Sequence, residues 1–180
     1  MRVIERTEDN SYEYPLISML QARSREGDEL LLHSGGPVTD LSQRSMLPAL
    51  DSIRFLFFEP YREDAPTGSA LRGEIHLGTP PPLNLVRQRL IEGRWKTEVE
   101  YNPATLEQAL SIVAEHEIEV ELNEQHSIIP GGFAGLLGYD LGRWSNSIRL
   151  VNTPEPGTLL GVLWRCDASV SYTHLRAHET

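Results

Sequence analysis

A single cysteine, Cys166, stands among the 180 residues, which excludes an internal disulfide and a cysteine-based zinc site. No apolar window approaches the roughly 20 residues of a membrane-spanning helix, and no charged-then-apolar leader opens the chain. The expectation is a cytoplasmic protein with no membrane partner. Basic residues are scarce: 16 Lys and Arg stand against 26 Asp and Glu, a formal net charge of −10 spread along the sequence. Such a surface repels phosphate backbones, so nucleic acid is not an expected partner. His33, His76, His116 and His126 are scattered without metal-ligand spacing, and each reads as a surface or hydrogen-bonded histidine. His174 and His178 have the i, i+4 spacing of a helical metal pair, but no third ligand accompanies them.

What is present is a globular mixture, 39% hydrophobic and 23% charged, with 14 glycines and 12 prolines in no repeat. The length suffices for one core, and one domain is the default. The densest feature is Pro130 to Trp144, where Gly131, Gly132, Gly135, Gly138 and Gly142 alternate with Phe133, Leu136, Leu137 and Leu141. Glycines inside an apolar run allow positive φ or direct packing on the main chain. A phosphate-cradling loop would need G-x-G-x-x-G or G-x-x-x-x-G-K-[ST], and neither spelling occurs. A purely structural reading makes this a buried strand turning into a short helical turn, with Asp140 as its cap and Arg143 on its rim.

The rest of the chain offers a helix over Tyr14–Ser24, closed near Gly27, and a short buried strand Glu29–His33 stopped by Ser34-Gly35-Gly36-Pro37. Arg54–Glu59 reads as an aromatic-rich strand stopped by Pro60. Gly73–Leu77 is a short strand, Leu83–Leu90 a helical turn, and Arg94–Tyr101 an edge strand with one polar face. Asn102-Pro103 suits an N-cap and first helical residue, with Leu106, Leu110 and Val113 on one face and an end near His116. The acidic run from Glu117 to Gln125 reads as a solvated face. Leu159–Trp164 reads as a strand.

The glycine-rich run, Gly131-Gly132, Gly135 and Gly138-Tyr139-Asp140-Leu141-Gly142-Arg143, resembles the G-G-x-x-G-x-x-G-Y-D-x-x-R signature of component I of aminodeoxychorismate synthase and anthranilate synthase. Leu31-Leu32-His33-Ser34 is similar to the L-L-x-S segment of those proteins, and Glu59-Pro60 to their Asp-Pro or Glu-Pro strand end. The likeness covers roughly residues 12 to 168, which it equates with the N-terminal region. The tail 169–180 resembles a translated sequencing-adapter peptide and is expected to be non-native.

The resemblance implies an α+β fold, a mostly antiparallel sheet with two or three helices. The parent reaction would be amination of chorismate to 4-amino-4-deoxychorismate for p-aminobenzoate and folate synthesis, with ammonia from a glutamine amidotransferase subunit. The catalytic region, its magnesium-binding glutamates and its nucleophilic lysine would lie beyond Thr180, so no catalytic residue and no cofactor are expected within these residues. The chain would be a truncated form, inactive alone. Ser34 matches a serine that lines a pocket for L-tryptophan. Asp51 departs from the neutral or basic group the family carries nearby, which argues against that ligand. Gly-Tyr-Asp-Leu-Gly-Arg and His33 favour the aminodeoxychorismate branch over the anthranilate branch. Outside the enzyme reading stand an amino-acid-binding regulatory domain, marked by Ser34, and an interaction module docking a partner subunit.

Overall fold

Phe55 and Phe57 are fully buried on one face of a strand, and Leu56 between them is buried on the other. A strand apolar on both faces must lie inside a sheet, and the computed structural model places it there. The structure describes residues 4–5, 28–32, 44–50, 52–61, 80–118, 131–145 and 154–173. Its strands are β1 (Ile4–Glu5), β2 (Arg44–Ala49), β3 (Ile53–Phe58), β4 (Asn84–Ile91), β5 (Arg94–Tyr101), β6 (Phe133–Leu137), β7 (Leu159–Arg165) and β8 (Ala168–Thr173). Helix α1 spans Leu106–Ala114, and a 3-10 helix, η1, spans Tyr139–Trp144.

The chain divides into two units, residues 52–117 with 133–164, and residues 1–51 with 118–132 and 165–180. The first holds a five-stranded sheet in the order β5-β4-β3-β7-β6. β3 pairs antiparallel with β4 and with β7, and β4 with β5. The Gly138 N–H donates to the Leu160 carbonyl at 2.8 Å, and Gly135 lies against Val162, so β6 also runs antiparallel to β7. One face carries the core: Ile53, Phe55, Phe57, Leu83 and Leu85 pack with Ala109 and Val113 of α1 and with Leu141 and Trp144 of η1. The opposite face carries a smaller cluster of Leu56, Val86 and Val162, with Phe58 and Trp164 at its margin.

The second unit holds a three-stranded sheet, β1-β8-β2, with β8 parallel to β1 and antiparallel to β2. Gly131 donates to the Cys166 carbonyl, and Cys166 donates back to Gly132. Gly131 has φ +81°, and a Cβ there would lie 2.3 Å from the Ile118 carbonyl oxygen, so only glycine fits. The strand β8 begins at Ala168, the residue at which the expected boundary between family-like chain and tail falls.

An antiparallel five-stranded sheet with few helices agrees with the coarse α+β expectation. The strands expected over Arg54–Glu59, Arg94–Tyr101 and Leu159–Trp164 are present within a residue or so, the second as the sheet edge. Leu83–Leu90 is a strand and not a helical turn. Leu83, Val86 and Leu90 have helical spacing, but Leu85 and Val86 are buried on opposite faces, as a central strand requires. β4 and β5 close through Glu92 and Gly93, both at positive φ (52° and 74°), the geometry of a type I′ hairpin turn.

Helix α1 starts three residues later than expected. Its cap is Thr105, whose Oγ1 accepts from the Gln108 N–H at 3.2 Å, while the Gln108 side chain accepts from the Ala104 N–H at 2.9 Å. Pro103 is buried ahead of the helix, and its carbonyl accepts from Leu83. The expected elements at Tyr14–Ser24 and Gly73–Leu77 lie outside the described residues. Within Glu29–His33 the described part shows only a single bridge residue, Leu32.

Candidate functional site

β3 ends in Glu59-Pro60, which brings a carboxylate to the end of a central strand. Glu59 is 1% exposed, its N–H donates to Thr158, and its carbonyl accepts from Gly157. The backbone of the turn before β7 therefore fixes the direction of the Glu59 side chain. From the other side comes η1. Leu141 and Trp144 of η1 are buried in the core, and the Trp144 indole N–H donates to the Pro81 carbonyl at 2.8 Å. Pinned by these two residues, η1 directs Arg143 inward.

Arg143 Nη2 donates to Glu59 Oε2, forming an ion pair between residues 84 apart in sequence. The arginine side chain is only 8% exposed, and its guanidinium stacks 4.5 Å from the centre of the Trp144 ring. A charge removed from water to this degree needs its partner, because an isolated buried ion is costly by several kcal/mol or more. The pair therefore fixes the relative position of the β3 end and η1.

The glycines beside it serve close approach. A Cβ on Gly135 would lie 2.0 Å from the Val162 carbonyl oxygen, and one on Gly138 would lie 2.6 Å from that of Leu160. β6 and the start of η1 thus lie against the β7 main chain at distances no side chain allows. Tyr139 points outward at 79% exposure, and Asp140 is half-buried.

Three expectations for this stretch are corrected. Asp140 does not cap η1: the N-cap is Gly138, with no side-chain bond to the helix. Arg143 is not on the rim but buried in the ion pair, since the tight turn of η1 carries it to the side that faces Glu59. β6 is also an edge strand, half-buried at best, where a buried strand is the structural expectation. Of the signature residues, Gly135, Gly138, Tyr139, Asp140 and Arg143 belong to the larger unit and Gly131 and Gly132 to the other. Ser34, His33 and Asp51 lie outside the described residues.

A second polar cluster bridges β4, β5 and α1. Glu98 accepts from Arg89 and lies 3.3 Å from Arg87, and these arginines, the Arg89 bond foremost, hold its carboxyl below the usual carboxylate range. Arg87 also meets His116 Nε2, while His116 Nδ1 bonds the Ile112 carbonyl at 2.9 Å. His116 is thus a hydrogen-bonded histidine, as the sequence suggests. Open depressions flank α1, one lined by Tyr101, Asn102, Thr105 and Gln108, another by Leu106, Leu110 and Ala114. Glu107 is the single charged residue lining either of them. Among the described residues no cluster of three or more His, Cys, Asp or Glu could hold a metal, and no helix is long and apolar enough to cross a membrane.

Sequence reasoning named Glu59 and Arg143 separately and missed their pairing. A glutamate placed directly before a strand-ending proline, and an arginine one turn after a glycine-rich strand, carried the signal. Comparison with models of known protein families, with curated proteins and with solved structures finds no match for this chain.

Proposed function

We propose that the chain is the N-terminal region of a component I of aminodeoxychorismate synthase, a cytoplasmic enzyme that aminates chorismate to 4-amino-4-deoxychorismate. The observation that carries the reading is the buried Glu59–Arg143 pair. Two of the three sequence anchors of the resemblance, Glu59-Pro60 and the arginine that ends the glycine signature, bear on the same point of the fold. The close approach of Gly135 and Gly138 to β7 gives a physical reason for the glycine spacing of that signature.

In this reading the region is a scaffold. Its described residues bring no nucleophile and no acid–base pair into a cleft, and the reaction belongs to a catalytic region with its own magnesium site. Ammonia comes from a glutamine amidotransferase subunit. The part played by these residues is to hold the sheet on which such a region would be built.

The test is complementation. The chain is co-expressed with the separately encoded catalytic region of an aminodeoxychorismate synthase component I, in cells lacking their own component I. Growth without p-aminobenzoate, lost in Arg143→Ala, is the expected result. A parallel arm with the catalytic region of anthranilate synthase component I, scored by growth without tryptophan, assigns the branch. A folded, soluble chain that restores neither growth overturns the reading.

A further inference from the structure

We draw no further inference here: the strongest candidate, the apolar edge of the five-stranded sheet at β6, where Leu136 and Leu137 are exposed and no strand pairs with the outer side among the described residues, carries none, because nothing in the structure shows what covers it.

Discussion

Removing one member of the Glu59–Arg143 pair should be among the most damaging single changes available in this chain. Glu59 and Arg143 are 1% and 8% exposed, and the indole of Trp144 covers the guanidinium. Glu59→Met leaves Arg143 charged in a site built to exclude water. The general cost of an orphaned buried ion of this kind is about 3–5 kcal/mol, against a total stability of about 5–15 kcal/mol for a domain. With a urea dependence of about 2 kcal/mol per molar, the unfolding midpoint should fall by about 2 M. Arg143→Met should cost a similar amount, because it strands the carboxylate instead.

The double variant Glu59→Met/Arg143→Met decides the matter. If the loss arises from the uncompensated charge, the double variant recovers most of it, and the coupling energy is about 2 kcal/mol or more. Urea titrations followed by circular dichroism, on all four proteins at the same pH, give the cycle. Molar salt should leave the coupling nearly intact, since a pair this buried is poorly screened. Single variants within about 1 kcal/mol of wild type, or a coupling below about 0.5 kcal/mol, would refute the claim that the pair holds β3 and η1 together.

Gly135→Ala sets a Cβ 2.0 Å from the Val162 carbonyl oxygen; the main chain must shift, at about 1–3 kcal/mol, read as a lower urea midpoint, and an unchanged midpoint would contradict the close approach of β6 to β7. Trp144→Phe keeps the ring in the core but removes the bond to Pro81, with an expected loss of about 1 kcal/mol in the same titration. Glu98 has its carboxyl lowered, chiefly by the Arg89 bond, so its contribution to stability is present above the unfolded carboxylate value of about 4.3 and is lost as pH falls through the lower folded value. The stability gap between wild type and Glu98→Gln, at most about 1 kcal/mol for so exposed a pair, should close on acidification and in high salt, and a gap constant with pH would contradict the assignment.

The strands were the legible part of the fold, because burial writes itself into the sequence as apolar residues at a period of two or as a solid apolar run. Arg54-Phe55-Leu56-Phe57-Phe58 has no polar alternation and is the central strand; Arg94–Tyr101 alternates and is an edge. Leu83–Leu90 misled because a strand buried on both faces also places apolar residues three and four apart. The two-residue Glu92-Gly93 link was the better guide, since positive φ at both positions closes a hairpin. At α1 the Asn-Pro pair looked like a start, whereas Thr105-x-x-Gln108 supplied the reciprocal bonds that define one.

The ion pair was illegible for a different reason. Periodicity reports which face of an element is buried, but it carries no information about which distant charge meets which. Glu59 precedes a proline and looked like a strand end, and Arg143 follows a run of glycines and looked like a solvated rim. Only the path of the chain brings them together: β7 runs antiparallel to β3 and holds the Glu59 backbone through Gly157 and Thr158, β6 packs against β7 where side chains are absent, and η1 turns on Gly138. Each glycine in that path shortens a distance that a side chain would lengthen. The glycines therefore matter to the pair as much as its own two residues, and a bulky residue at position 135 or 138 should weaken the Glu59–Arg143 coupling without touching either charge.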